Sequence, residues 1–352
     1  MEISFANVAV KAVLGVTGAK QIDTLTFCEE ILGQDNKQAR RFIRNVGFEK
    51  TRILPHGMTA CDAMELGVRQ LLSQTGTQSE EIDALITVTQ TPDTLVPAIG
   101  YILQGRLGFK GDLLIFDLTQ GCPGFVLGLF QAAHLVSSGL CRKVLLCCGD
   151  VSKEMRLKRA TSQVQPASLG LFGDGVGVAM ICREENVPVM HFALHSDGQH
   201  HQVIEEAHMG YRYFLSSEQP DIDVVLDGTD IDGTVLADYV LDRVKSNVEG
   251  LLLKAGLTYA DLAYCIAHQA NKTLLNALAM VTKMPQGFMP FLAGDSGNAS
   301  SASIPLALSE HADLLPEIAH KPVLISGFGV GMAVASAVLS LRETQILRAL
   351  YV

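Results

Sequence analysis

No stretch of the 352-residue chain is apolar for long enough to cross a bilayer: runs such as Val144–Cys148 and Val323–Ile325 fall far short of the roughly 20 residues a spanning helix needs. A membrane-spanning helix is therefore not expected, and the 48% of hydrophobic residues must go to a sizeable buried core. Charge is scarce, and its balance of −10 leaves no broad basic surface, which excludes nucleic acid as the main partner. The opening residues lack a basic segment followed by a continuous apolar stretch and a small-residue cleavage site, so a cytoplasmic location is expected. No cysteine pair has CxxC spacing. The eight cysteines (28, 61, 122, 141, 147, 148, 182 and 265) lie mostly in apolar runs, the pattern of buried reduced thiols rather than of disulfides or a zinc site. His195, His200, His201 and His208 have neither HExxH spacing nor a carboxylate partner at helical spacing, so they read as a polar loop; no metal and no cofactor is expected.

What the chain does have is an internal echo at a displacement of 178. Ile82–Val88 matches Ala260–Ile266, each after a helix-like segment ending in glycine (Gly76, Gly256), and Arg142–Leu146 matches His320–Leu324. The segments opening at Gly121 and Gly297 fall within two residues of the same displacement, each a small-residue turn feeding a helix. Short apolar runs alternating with longer helical patterns indicate βαβ units and buried mixed sheets. Both halves close with a glycine hairpin and a strand, Gly173–Gly177 before Val178–Cys182 and Gly327–Gly331 before Val334–Leu341. An α/β protein of two pseudo-symmetric halves, 1–184 and 185–352, is expected, with 151–171 as an insertion capping a pocket or a subunit boundary.

Three local patterns carry chemistry. In Asp117–Phe125 a strand ends and a helix begins at Cys122, where free backbone amides and the helix dipole would favour thiolate and hold an acyl oxyanion. Flanking glycines allow close approach of a thioester, and Pro123 suits the first helical turn. His268, in Ala267-His268-Gln269-Ala270-Asn271-Lys272, leaves a strand end, where open α/β sheets place ligands; alone it could be a satisfied core histidine. Asn298, in the small-residue run 294–305, could alone be a helix N-cap. The duplication makes the Cys122 and Asn298 turns equivalent, with the His268 strand alongside, and so predicts that the three converge.

With these motifs the chain resembles the thiolase superfamily, and specifically β-ketoacyl-carrier-protein synthase III: the Cys122 turn, His-Gln-Ala-Asn at 268–271, Gly-Asn-Ala-Ser-Ser-Ala-Ser at 297–303 and Phe-Gly-Asp-Gly at 172–175 match family motifs in order. The resemblance implies the thiolase-like five-layered αβαβα fold, homodimers, and a catalytic triad at Cys122, His268 and Asn298. It also implies acyl carrier protein or coenzyme A thioesters as partners, and Arg41, Arg44, Asn271 and Gly329 as substrate-binding residues. Relatives using coenzyme A commonly carry a Trp and an Arg where this chain has Arg41 and Asn45, and the protein has no Trp; Arg41 and Arg44 are the alternative phosphate contacts. For an acidic carrier, the dense basic runs are Lys37–Arg44 and Lys153–Arg159. The acyl chain is not assigned, because Asp227–Asp232 is acidic where acetyl-using relatives place a bulky apolar residue.

The expected reaction loads an acyl group on Cys122 and then condenses it, with decarboxylation, with a malonyl-type or β-keto thioester, His268 and Asn298 donating hydrogen bonds to the enolate. The late glycine loop holds Phe328 and no cysteine, against thiolysis, and no Glu lies between Thr91 and Cys122, against a glutamate base. The alternative is an acyltransferase that passes the same acyl group to another acceptor; a silent heterodimer partner is disfavoured by the intact triad. Asp174 is expected to order its hairpin rather than to catalyse.

Overall fold

The computed structural model describes residues 1–30, 36–153, 170–205, 215 and 230–352. In chain order it runs β1 (Glu2–Phe5), β2 (Val8–Thr17), β3 (Lys20–Asp23), α1 (Thr24–Glu30), α2 (Asn36–Val46), β4 (Lys50–Ile53), α3 (Ala60–Thr75), β5 (Ala84–Val88), α4 (Ile99–Leu107), β6 (Leu114–Leu118), α5 (Gly124–Ser137) and β7 (Lys143–Asp150). It continues with β8 (Gly175–Arg183), β9 (Met190–Ser196), β10 (Ile204–Glu205), β11 (Asp230–Ile231), α6 (Gly233–Ala255), β12 (Cys265–Ala267), α7 (Lys272–Val281), α8 (Ser303–His311), β13 (Val323–Gly329), β14 (Ala333–Leu339), β15 (Gln345–Ile346) and β16 (Leu350–Tyr351).

Helix limits follow from local chemistry. Thr59 and Asp62 form a reciprocal capping box at the start of α3, and Asp232 accepts from the Thr234 and Val235 amides at the start of α6. Both helices end on a left-handed glycine, Gly76 and Gly256, whose amides close the last turn. Helix α5 is apolar around most of its circumference, a pattern suited to full burial.

The first sheet has the order β15-β2-β8-β7-β5-β6, with β16 also on β2; the second has β1-β9-β14-β13-β12. Strands β2-β8-β7-β5 and β9-β14-β13-β12 share both order and direction, antiparallel, antiparallel, then parallel. Helices α5 and α8 touch strands of both sheets, α3 and α4 cover the outer face of the first, and α6 covers that of the second with α7 against it. The result is the αβαβα sandwich. Its middle layer buries Phe125, Leu129, Ile304 and Leu308 against strand residues such as Ile86, Leu146 and Ile325. Each large side chain buried there stabilises by about 1.5–3 kcal/mol.

The structural repeat is displaced by 180, not 178: Gly76 and Gly256, Ser79 and Tyr259, Lys143 and Val323, and Gly149 and Gly329 are equivalent pairs. The sequence match at Ile82 had aligned aspartates; in the structure Asp83 precedes its strand, whereas Asp261 closes a 3-10 turn. The hairpins shift accordingly. Gly329 (φ 146°) corresponds to Gly149 (φ 145°) at the end of β7, not to a glycine in 173–177.

The expected cap at 151–171 is described only at its ends; its central part, most of the basic run Lys153–Arg159, His208 and residues 227–229 of the acidic stretch lie outside the described residues. Asp174 orders its surroundings as expected. Its buried carboxylate accepts from the Ser152 and Lys153 amides at 2.8 Å each and from the Leu54 amide at 3.1 Å. Burial raises its pKa and the three amides oppose that rise. Asp174→Ala should therefore lower stability by about 3 kcal/mol, because it orphans buried donors, and urea unfolding should show a reduced midpoint.

Candidate active site

Cys122 lies between the end of β6 and the start of α5, in a turn closed by the Gly124 amide on the Gly121 carbonyl at 2.7 Å. The helix begins at Gly124 and Pro123 is its cap, so the cysteine precedes the helix rather than opening it. Cys122 is partly accessible; the other seven cysteines are buried, and all eight are free. Two influences in the structure act against the expected thiolate. Burial pushes the Cys122 thiol up to about 12 and the Asp150 charge adds to the rise. Hydrogen bonds from the Val330 amide, its own amide and the Ser300 hydroxyl pull the other way without prevailing.

His268 leaves the end of β12, its amide bonded to the Ser326 carbonyl at 2.7 Å. The imidazole is buried, meets Phe328 edge-on at 5.6 Å, and has Nδ1 2.7 Å from Ser303 Oγ. Burial holds its pKa down at about 4, against a hydrogen bond to the Ser300 backbone. It is neutral near pH 7. The Gln269 amide donates into the same Ser303 oxygen at 3.3 Å, leaving the hydroxyl hydrogen available to Nδ1 and a hydrogen on Nε2.

Asn298 is fixed through its backbone. Its amide donates to the Leu171 carbonyl at 2.9 Å, and its carbonyl accepts from Gly173 at 3.1 Å. Its Oδ1 accepts from the Ser300 amide at 2.9 Å, which commits the oxygen and leaves the NH2 group to donate elsewhere. Asn298 therefore caps neither α8 nor the 3-10 turn before it, whose caps are Ala302 and Ala299.

Ser300 joins the three: its hydroxyl meets Cys122, its backbone meets His268, and its amide holds Asn298. It does so in the left-handed region (φ 51°), where a non-glycine residue is strained, a condition that clusters at functional sites. Gly329 completes the floor. A β-carbon there would lie 2.9 Å from Cys122 Cβ and 3.1 Å from its Sγ, so only glycine lets the loop meet this cysteine. Asn271 caps α7 by accepting from Leu274 at 2.8 Å. Arg41 and Arg44 are exposed on α2, which ends beside α7, where the Thr273 hydroxyl donates to the Asn45 carbonyl.

Sequence reasoning did not assign Ser300, Ser303, Val330 or Asp150. The serines stand inside a motif that was read for its asparagine, whereas Val330 acts through its backbone and leaves no signal in the sequence. Asp150 works on a turn 60 positions away.

The neutral His268 also affects folding. Below about pH 6.5 an unfolded histidine takes up a proton that the folded site refuses until about pH 4. Its contribution to stability is complete above 6.5 and is lost as pH falls towards 4. Urea midpoints across pH 4–8 should show that acid-side slope reduced in His268→Gln.

Residues 116–198 match the family described as 3-oxoacyl-[acyl-carrier-protein (ACP)] synthase III, and residues 252–341 match that described as its C terminal part. A β-ketoacyl-[acyl-carrier-protein] synthase III of Streptococcus pneumoniae is 29% identical over 275 residues, covering 78% of this chain and 82% of the relative. Among solved structures, a 3-oxoacyl-(acyl-carrier protein) synthase from Burkholderia xenovorans LB400 superposes with TM-score 0.87 at 25% identity, covering 100% of this chain and 99% of the other. A synthase III from Thermus thermophilus gives 0.79 at 26%, covering 94% and 98%. The fold and its matches define a thiolase-superfamily enzyme. Within that superfamily the chain belongs with the β-ketoacyl-carrier-protein synthase III-like condensing enzymes, transferases that form carbon–carbon bonds.

Proposed function

We propose that Cys122 carries the acyl group and that His268 and Asn298 stabilise the enolate of a decarboxylating extender. The observation that supports this reading is the assembly of a neutral thiol, a neutral imidazole and a free amide donor around Ser300. In the first half-reaction the Cys122 sulfur attacks an acyl thioester. Its proton passes to the departing donor sulfur as the tetrahedral adduct collapses, so that no charge accumulates. The Cys122 and Val330 amides, which already bond the sulfur, are placed to receive the tetrahedral oxyanion.

In the second half-reaction a malonyl-type thioester loses CO2. The enolate oxygen takes hydrogen bonds from His268 Nε2 and Asn298 Nδ2, each donor contributing roughly 2.7–4 kcal/mol. The enolate carbon then attacks the acyl-cysteine and expels the Cys122 sulfur, which regains one proton from solvent. The product is a β-keto thioester of a fatty-acid-like or polyketide pathway.

Arg41 and Arg44, with Lys37 and Arg40, form an exposed basic face on α2 suited to the phosphates of coenzyme A or to an acidic carrier protein. Asn271 sits at the adjoining start of α7, and Gly329 admits the thioester to the sulfur. The homodimer reading is supported by β6, whose outer edge pairs with no described strand, and by exposed Leu95 and Val96 nearby. Eight free cysteines fit a reducing, cytoplasmic compartment, and no helix among the described residues is long and apolar enough to cross a membrane.

The testing experiment loads the protein with acyl thioesters, reads the adduct by intact mass, and chases it with a malonyl carrier while measuring CO2. Discharge with CO2 release is the expected result. Discharge to another acceptor without CO2 would replace condensation by simple acyl transfer.

A further inference from the structure

A short segment of chain holds the backbone of Asn298. The Asn298 amide donates to the Leu171 carbonyl at 2.9 Å, its carbonyl accepts from the Gly173 amide at 3.1 Å, and Phe172 pairs with it as a parallel bridge. Where this segment lies therefore decides where the Asn298 side chain begins. At its far end Gly170 is buried, and among the described residues a β-carbon on it would meet within 4 Å only Cε1 and Cζ of Phe42, at 2.9 and 3.2 Å. The ring edge rests on the Gly170 backbone.

Phe42 is the apolar neighbour of Arg41 on α2, and it packs in two clusters at once. One contains Phe27, Cys28 and Ala39; the other contains Val46, Phe48 and Leu171. The chain leaving α2 then meets the Asn298 loop a second time. The Glu49 and Lys50 amides donate to the Gly294 carbonyl at 2.8 and 3.1 Å, and the Arg52 amide donates to the Ser296 carbonyl at 3.1 Å. Asn298 is thus gripped from two directions by the unit that carries α2. In a close-packed interior a change of side-chain volume is passed on to the neighbours rather than absorbed.

We propose that Phe42 is a positioning residue for the second half-reaction: its ring props the segment 170–173, which in turn sets where the Asn298 amide meets the enolate. The helix that offers Arg41 and Arg44 to an incoming thioester also supports one of the groups that act on it. The amides proposed for loading, those of Cys122 and Val330, belong instead to the turn before α5 and the loop after β13. Phe42 accordingly bears on condensation and not on loading.

The inference deepens the proposed role of Asn298 and rests on it for its kinetic outcome, whereas its structural outcome needs no thioester. Hydrogen exchange, read by mass spectrometry with residue-level fragmentation, gives the structural outcome. In Phe42→Ala the Asn298 and Gly173 amides should exchange about tenfold or more faster, while the His268 amide, bonded to Ser326, keeps its wild-type rate. Gly170→Ala disturbs the same contact from the other side and gives the reading if Phe42→Ala does not fold. Adding Phe42→Leu to Gly170→Ala should bring exchange back towards the wild type, because the shorter side chain makes room for the added methyl.

In the kinetic arm, acyl transfer to Cys122 should stay within about twofold of the wild type in Phe42→Ala, while CO2 release from a saturating malonyl thioester slows about ten- to a hundredfold. In an Asn298→Ala background, Phe42→Ala should slow CO2 release no further. Unchanged exchange at Asn298, a uniform rise across the chain, equal slowing of both half-reactions, or full additivity with Asn298→Ala would each overturn this inference alone. Wild-type CO2 release by Asn298→Ala itself would overturn the proposed function, and this inference with it.

Discussion

Cys122→Ala is expected to abolish the acyl adduct and to lower condensation by on the order of 10⁴-fold or more, the range seen when an enzyme loses its covalent nucleophile. The seven remaining cysteines are buried, so none can substitute. The variant should fold, since alanine removes only a sulfur from a site where Gly329 already leaves space. Intact mass after incubation with acyl thioesters checks the adduct, and product formation checks the rate. An adduct persisting in Cys122→Ala would move the nucleophile elsewhere.

Asn298→Asp should separate the two half-reactions. The substitution preserves shape and keeps the oxygen that accepts from the Ser300 amide, but it replaces the amide donor with a negative charge facing a developing enolate. Loss of one preorganised donor of this kind costs about 10²–10³-fold, and the added charge makes the loss larger rather than smaller. Acyl loading, for which we propose the Cys122 and Val330 amides, should continue. Rapid loading with slow CO2 release is the expected signature, and equal slowing of both steps would assign Asn298 to general site structure.

Contiguous patterns made much of this site legible. Cys122 and Asn298 each follow an apolar run and a turn of small residues, and His268 directly leaves the end of an apolar strand, patterns that single out each side chain without knowledge of the rest of the chain. The thiol's protonation state was not legible, because it depends on burial and on a carboxylate brought close by the pairing of β5 with β7. The helix dipole is a local argument, whereas burial is a non-local one that acts against it. The repeat was legible but misaligned by two positions, because matching aspartates occupy different structural places in the two halves. Ser300 was unreadable for a further reason: its left-handed backbone and its three-way bonding exist only once α8, β12 and the Cys122 turn are packed together.

The two sheets exchange their outermost strands. Glu2–Phe5 pairs with β9 in the second sheet, while Gln345–Ile346 and Leu350–Tyr351 lie on β2 in the first. During synthesis the first sheet thus waits for the last strands to leave the ribosome before β2 is covered on both sides, and a chain stopped before residue 345 would present that apolar strand as an open edge for aggregation. Neither half can be cut out at its midpoint and kept whole, so the duplication visible in the chain persists as one cooperative body rather than as two separable copies.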